Sequence, residues 1–336
     1  MSDLFLGIDT SNYKTSAAVT DASGNPVFER SEYLPVPQGK RGLRQSECFF
    51  RHSCILPDFI DEVCSEISVN DIKAAGVSSR PRRVEGSYMP CFLAGVNAAR
   101  EISSVLGIPL HEFSHQEGHA AAVISCGTPA VEDPGQEETA LMHLSGGTTE
   151  FLRCRSDASG YDLEIIGGTR DISIGQLIDR AGVAMGFSFP SGMYLDKLAE
   201  EYVSSPQDQG RSAISPVRTD AGSFNLSGTE TQVLRWIDSS SPDEYPFIAY
   251  SLFDRVARLL AVSVSEICAG TGIRTVYMAG GVSASAFIRR RISEEIDRIS
   301  AHNKSLTADI RFSSPALSGD NAVGIALLAG RLYMQR

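Results

Sequence analysis

The sequence holds one tryptophan, six histidines, and no pair of cysteines at Cys-x-x-Cys spacing. Its seven cysteines, Cys48, Cys54, Cys64, Cys91, Cys126, Cys154 and Cys268, are odd in number and scattered. That pattern argues against a disulfide framework and a thiolate zinc site, and it suits a reducing cytoplasm. No apolar run approaches the ~18 residues of a membrane span, and polar Ser2-Asp3 is followed by a strand pattern rather than a secretory leader. A cytoplasmic protein with no membrane partner is therefore expected. Positive charge is also short: 30 Lys and Arg stand against 41 Asp and Glu, a formal net charge of −11. That balance argues against a protein that coats nucleic acid, whereas a local basic patch could still bind one.

What is present is ordinary for a globular chain, with 42% hydrophobic and 21% charged residues. At 336 residues the chain exceeds what one core usually organises, so two lobes are expected. The central stretch is Phe113-Ser-His-Gln-Glu-Gly-His-Ala-Ala-Ala122. Ser114 suits an N-cap, and the following pattern predicts a helix to Gly127. His115 and His119 then share one helix face, and two imidazoles so placed can grip a metal, with a third ligand from elsewhere. Capping or surface histidines would satisfy the same spacing. A zinc-peptidase mechanism does not fit: the residue after the first His is Gln116, and Glu117 lies roughly 200° round the helix.

The chain opens with an apolar run at Leu4–Ile8, a hydroxyl-rich loop at Asp9–Ser16, a second run at Ala17–Thr20 and a third strand at 26–33. Such a turn can offer backbone N–H groups to a phosphate, or be an ordinary hairpin. The loop at 34–46 carries Lys40, Arg41 and Arg44, and Arg80-Pro-Arg-Arg83 makes a second basic loop; each is either solvated charge or a rim for a polyanion. Helix and strand then alternate through 48–67, 72–77, 91–106 and 108–113, which predicts a largely parallel sheet. Residues 127–138 form a boundary. The opening pattern then returns as an apolar run at 139–144, the tight loop Ser145-Gly-Gly-Thr-Thr149, and strands at 150–154 and 162–166. Helices are expected at 172–186, 193–203, 229–237 and 245–269. A strand at 275–279 ends in Gly280-Gly281 and leads into a helix to about 301. A strand at 308–312 and a last helix from near Gly319-Asp320-Asn321 complete the chain. Two halves built alike predict a two-lobed actin/sugar-kinase-like (ASKHA) α/β fold, with a duplicated mixed sheet, flanking helices and a central cleft. The lobes are placed at 1–128 and 137–336, the last helix returning to the cleft.

With these pieces in order, the chain resembles the tRNA threonylcarbamoyladenosine synthase family, once labelled sialoglycoprotein endopeptidases, as a divergent member. The resemblance rests on Gly7-Ile-Asp-Thr-Ser11 with Thr15–Val19, on Arg82–Ala99, on His115 and His119, and on Leu144-Ser-Gly-Gly147. It continues through Asp179 with Pro190-Ser-Gly192, Phe224-Asn-Leu-Ser-Gly228, Ala279-Gly-Gly-Val282 and Asp320-Asn321. It implies a divalent metal (Fe, Zn or Mg) on His115, His119 and Asp320. It implies a threonylcarbamoyl-adenylate held by Leu144, Ser145, Gly146, Gly147, Thr148, Asp179, Gly192, Gly280, Gly281 and Ser285. It implies a phosphate loop at Asp9, Thr10, Ser11, Asn12 and Lys14. The implied reaction is transfer of threonylcarbamoyl to the N6 amine of the adenosine beside a tRNA anticodon, with a paralogous subunit and an ATPase as partners. The basic loops would then meet tRNA.

The chain departs from the family pattern at several points. Tyr13 and Lys14 replace two acids of the opening loop, Thr148 stands where a His usually follows Ser-Gly-Gly, and Ser285 stands where an Asn is expected. These departures keep two alternatives open: a carbamoyltransferase with another acceptor, and a non-catalytic nucleotide-binding partner of the modifying complex.

Overall fold

A computed structural model describes residues 3–11, 13–36, 43–125, 138–204, 213–302, 308–312 and 322–335. In chain order the elements are β1 (Leu4–Asp9), β2 (Lys14–Asp21), β3 (Pro26–Tyr33), α1 (Gln45–Glu66), β4 (Ile72–Arg80), α2 (Phe92–Leu106), β5 (Leu110–Ser114) and α3 (His115–Ser125). There follow β6 (Thr139–Leu144), β7 (Thr149–Asp157), β8 (Gly160–Thr169), α4 (Ile174–Ala184), α5 (Gly192–Ser204), β9 (Thr219–Asp220), β10 (Ser223–Phe224), α6 (Ser227–Ser239), α7 (Tyr245–Thr271), β11 (Thr275–Ala279), α8 (Ala286–His302), β12 (Asp309–Phe312) and α9 (Val323–Met334). No described helix is long and apolar enough to cross a membrane.

The chain divides into two units. The first comprises Met1–Glu138, Cys154–Leu163 and Gly319–Arg336; the second comprises Thr139–Arg153 and Glu164–Ser318. The last helix and the tip of the β7–β8 hairpin thus join the first unit, whereas the sequence pattern grouped both with the second lobe.

In the first unit the sheet order is β3-β2-β1-β4-β5. β1 runs antiparallel to β2 and parallel to β4, and β5 continues the parallel half. Leu6, Ile8, Ala17, Val19 and Val77 alternate onto one face and pack against Phe59 and Val63 of α1 and Val96 and Ala99 of α2. That period-2 pattern makes the hairpin half-buried by one helical layer. The opposite face receives α9, which approaches so closely that glycine is required beneath it. A Cβ on Gly7 would strike the Ala322 carbonyl, and one on Gly76 would lie 2.7 Å from the Ile325 carbonyl. α3 meets α9 in the same manner, through Gly118 and Gly324. The hairpin tip is fastened by two arginines. Arg83 donates to Asp157 (3.0 Å), to Ser159 Oγ (2.8 Å) and to the Tyr161 carbonyl (3.3 Å), and Arg331 donates to Ser156 Oγ (2.7 Å).

In the second unit the sheet order is β12-β11-β6-β7-β8-β10-β9, with β6, β11 and β12 parallel. The short pair β9–β10 falls in a stretch whose Pro, Gly and polar content predicts only loop. α7 supplies much of the core, with Leu252, Phe253, Val256 and Leu260 buried against β6 and β11 side chains such as Met142 and Met278. It also carries Asp254, fully buried, whose carboxylate binds Arg258 (2.8 Å) and Arg291 (2.7 Å).

Candidate functional site

The first unit builds its polar centre where β1 and β5 end. β5 stops at Ser114 because α3 begins there, and a reciprocal capping box starts the helix. Ser114 Oγ accepts the Glu117 N–H (3.2 Å), while Glu117 Oε2 accepts from the Ser114 N–H and hydroxyl, both at 2.8 Å. Glu117 is therefore a capping residue, also 3.6 Å from Arg83, on a different face from the histidines. The box fixes the first turn of α3 and so the direction of both imidazoles. His115 Nε2 and His119 Nε2 stand 3.0 Å apart, with ring centroids 4.4 Å apart.

The far nitrogen of His115 is also held. Its Nδ1 lies 2.8 Å from Asp9 Oδ2. Asp9 is 1% exposed, and it also accepts from Ser78 Oγ (2.6 Å) and the Ser11 N–H (2.7 Å). Burial pushes this carboxyl upward, but the charge and hydrogen bond of His115, with Ser11 and Ser78, bring it below its ordinary value. An ionised Asp9 accepts the Nδ1 proton and leaves the Nε2 lone pair facing His119. This carboxylate–imidazole pairing is how a metal-binding histidine is oriented. Two ligand nitrogens ~2.1 Å from one ion at roughly a right angle lie ~3.0 Å apart, so the donor set fits a divalent cation. Asp320, the expected third ligand, lies outside the described residues, as does Asn12.

The expected phosphate loop divides into separate tasks. Asp9 serves His115. Thr10 Oγ1 donates to the Cys91 carbonyl (3.1 Å) and accepts the Gly95 N–H (3.1 Å), tying the turn to the start of α2. Lys14 is buried, its ammonium 5.3 Å from the centre of the Tyr33 ring. Ser11 is 1% exposed, and its hydroxyl has no hydrogen-bond partner among the described residues. A buried orphan hydroxyl needs a partner from a ligand or water, so Ser11 is the member of the loop with capacity to bind. Asp9 and Thr10 are committed to the protein itself.

The second unit carries the remaining expected nucleotide residues. The turn Ser145–Thr148 joins β6 to β7, and the Ser145 N–H donates to the Thr148 carbonyl (2.9 Å). Leu144 is fully buried, so it can offer a ligand only its backbone. Gly146 and Gly147 are exposed, with open space where a Cβ would stand. The start of α4 lies against this turn: Ser173 Oγ donates to the Gly146 carbonyl (2.9 Å), and a Cβ on Gly175 would strike the Ser145 carbonyl. Gly280 has φ +93° and packs on the Leu144 backbone, which is a structural reason for its lack of a side chain; Gly281 faces open space.

Asp179 and Gly192 do come together. The Asp179 carboxylate accepts the Ser191 N–H (2.7 Å) and the Gly192 N–H at the start of α5, while burial pushes its carboxyl up. Ser285 is engaged by a residue that the sequence did not mark. Its hydroxyl donates to Asp196 Oδ1 (2.5 Å) and accepts the Ile288 N–H (3.1 Å), so it caps α8. Asp196 also accepts from the Ala286 and Phe287 amides, placing a negative charge at the positive end of that helix. Asp196 and Ser285 are 89 residues apart, and no local pattern announces such a pairing. Asp171 caps α6 in the same way, accepting from the Leu226 and Ser227 amides.

Residues 41–327 match the family model described as tRNA N6-adenosine threonylcarbamoyltransferase. A protein of that name from Staphylococcus aureus (strain Newman) is 26% identical over 344 residues, covering 99% of this chain and 92% of its own. One from Bifidobacterium adolescentis is 25% identical, covering 98% and 92%. Among solved structures, component A of the (R)-2-hydroxyglutaryl-CoA dehydratase of Acidaminococcus fermentans superposes with TM-score 0.54 at 16% identity, covering 98% of both chains. HypF of T. kodakarensis superposes with TM-score 0.58 at 15% identity, covering 98% of this chain and 48% of that one. The architecture is the actin/sugar-kinase-like one, built on two mixed sheets.

Proposed function

The chain belongs to the tRNA N6-adenosine threonylcarbamoyltransferase family, and from that premise we propose that it transfers a threonylcarbamoyl group from threonylcarbamoyl-adenylate to tRNA. The acceptor is the N6 amine of the adenosine beside the anticodon. That nitrogen attacks the carbamoyl carbon, the bond from this carbon to the phosphate oxygen breaks, the amine loses a proton, and AMP leaves. No serine or cysteine nucleophile is required.

The observation that carries this reading is the convergence of His115 and His119 on one point, with Asp9 behind His115. His115 and His119 would hold a divalent cation (Fe, Zn or Mg), with Asp320 as third ligand. A cation bound there would supply Lewis-acid polarisation of the carbamoyl or phosphate oxygens. Asp9 keeps His115 in the tautomer whose Nε2 can bind. Ser11 would offer its hydroxyl to a ligand of the first unit; in the second unit the Gly146 amide would receive a phosphate oxygen, and Asp179 with the Gly192 backbone would fix the ribose. Gly281 would border the adenosine. A paralogous subunit, an ATPase and a cytoplasmic location complete the proposal.

A transfer to another acceptor is the second reading, favoured by Lys14, Thr148 and Ser285, which depart from the family pattern. One assay separates the two. Purified protein is given threonylcarbamoyl-adenylate and unmodified tRNA, with and without the partner proteins, and nucleosides are read by mass spectrometry. Threonylcarbamoyl-adenosine formed by the wild type and lost in His115→Ala supports the first reading. No product in any combination, from protein that retains its metal, rejects it in favour of the second.

A further inference from the structure

The first unit holds a cavity of about 150 Å³ at the edge strand of its sheet, and neither His115 nor His119 lines it. Strand pairing decides which side chains reach it. Gly76 pairs with His111 and Ser78 with Phe113, and Gly76 faces α9, so His111 and Phe113 face that side too. Glu112 also borders the cavity, but alternation turns its carboxylate to the other face, where it meets Arg100 of α2 at 2.9 Å. An extra residue in β4, Ser79, shifts the register beside Arg80, which stands in the cavity wall. Arg83, Glu117 of α3 and Leu332 of α9 add to that wall.

The charges around this cavity do not balance. Arg83 stands 3.0 Å from Asp157 and 3.6 Å from Glu117, and Arg331 donates to the Asp157 carbonyl (3.2 Å). Glu112 and Arg100 cancel on the far face. Arg80 is left over: it donates to Ser79 Oγ (3.2 Å) and has no carboxylate partner among the described residues. The guanidiniums of Arg80, Arg83 and Arg331 thus stand against only two carboxylates, Glu117 and Asp157, which leaves one positive charge in a chain of net charge −11. A half-buried guanidinium without an acid is incompletely solvated, and an oxyanion is the partner that its planar fork matches. One negative charge completes the count, which suits a phosphodiester better than a dianionic monoester. Phe113 and Leu332 offer apolar surface to the carbons of an ester. We propose that this cavity seats one phosphodiester of a bound tRNA, held by Arg80, with the ribose carbons against Phe113 and Leu332. This rests on the tRNA reading given above, and it assigns to that substrate a contact point apart from the histidine pair and the glycine turn.

The test measures binding of unmodified tRNA to the full chain across a range of salt concentrations. Arg80→Gln removes the charge and keeps the length of the side chain. It should weaken binding roughly 10-fold, the loss of one charged hydrogen-bonded contact, and make the salt dependence shallower by roughly 0.7–0.9. Arg100→Gln removes an equal charge from the opposite face of the same strand and should leave that slope unchanged. Equal effects of the two variants mean that only overall charge matters, and they overturn the proposal. Leu332→Trp fills the cavity without touching a charge and should weaken binding as Arg80→Gln does; wild-type affinity in a variant whose melting is normal overturns it too. A second measurement holds even if that variant fails to fold. Single diesters of the tRNA are replaced by neutral methylphosphonates. At one position the replacement should weaken the wild type and leave Arg80→Gln unaffected, because the contact is already lost. If every replacement acts equally on both proteins, Arg80 meets no diester and the proposal falls. Calorimetry with ribose 5-phosphate checks the other source: binding that Arg80→Gln abolishes, with tRNA affinity untouched, assigns the cavity to a free monoester and overturns the proposal. A wild type that binds no tRNA removes the tRNA reading and this inference together, whereas tRNA binding that the variants leave unchanged removes the inference alone.

Discussion

Substituting Gly324 by alanine tests whether the histidine helix is located by its backbone rather than by its side chains. α3 and α9 cross at Gly118 and Gly324. A Cβ on Gly324 would strike the Gly118 carbonyl oxygen and would lie 2.7 Å from its carbon and 2.9 Å from the Ala122 nitrogen. All three obstacles are main-chain atoms, so no rotamer change relieves them. α3 must move away by about 1 Å to restore ordinary contact, and overpacking of that kind costs ~1–3 kcal/mol. At ~2–4 °C per kcal/mol the melting temperature should fall by several degrees. The larger consequence is for the imidazoles. His115 is held at its far nitrogen by Asp9 on β1, while its backbone would travel with α3, so the 3.0 Å approach of the two Nε2 atoms is lost. Misplacement of a reacting group by ~1 Å can cost ~100-fold in rate. The assay is calorimetric melting together with bound metal per chain after dialysis against a weak chelator. Gly270→Ala is the control, because a Cβ there meets nothing; it should leave metal binding unchanged and raise stability by roughly 0.5–1 kcal/mol. Wild-type melting and metal content in Gly324→Ala would refute the reasoning.

Asp9→Asn should weaken metal binding ~10- to 100-fold, read by chelator competition, because the orienting carboxylate is gone; an unchanged affinity would show that His115 needs no such support. Asp171 is held below the ordinary carboxylate range: burial raises it, but hydrogen bonds from Leu226, Ser227 and Ile172 lower it further. Its folded value lies under its unfolded one, so it stabilises the fold above about pH 4 and the contribution is lost as pH falls below that. Asp171→Asn should therefore flatten the acid limb of melting temperature against pH, and an identical limb would count against this. Arg83 is committed to Asp157, Ser159, Tyr161 and Glu117, whereas Arg80 donates to Ser79 alone among its described bonds. Arg80→Ala should weaken tRNA binding and reduce its salt slope by ~1, while Arg83→Ala should leave the slope and loosen the hairpin tip to proteolysis. The reverse result would return the phosphate contact to Arg83.

Much of this was legible in the sequence. Periodicity located the strands of both sheets and the long helices, since burial on one face leaves period 2 or 3.6 in the residue pattern. The shared face of His115 and His119 follows from helix geometry alone. The capping box was also written locally, as Ser114 and Glu117 three residues apart, although only the serine reads as a cap without the structure. The roles that stayed hidden depend on distant partners. Asp9 sits in a loop of hydroxyls that suits a phosphate, and nothing nearby shows that its oxygens are committed to His115, 106 residues on. Asp196 is hidden for the same reason. The strands β9 and β10 are two residues each, too short to leave a period.

The placement of α9 bears on how the protein is made. Val323 to Gly330 are buried, and this helix closes the face of the first unit at Gly7 and Gly76. The ribosome delivers it only after almost all of the second unit. At ~5–20 residues per second, the sheet that forms first waits on the order of ten seconds with one side uncovered. The N-terminal sheet is thus a late finisher despite its early start. A fragment ending at the boundary near 138 would keep its strands yet lack its closing helix, and adding that helix as a separate peptide is the way to complete it.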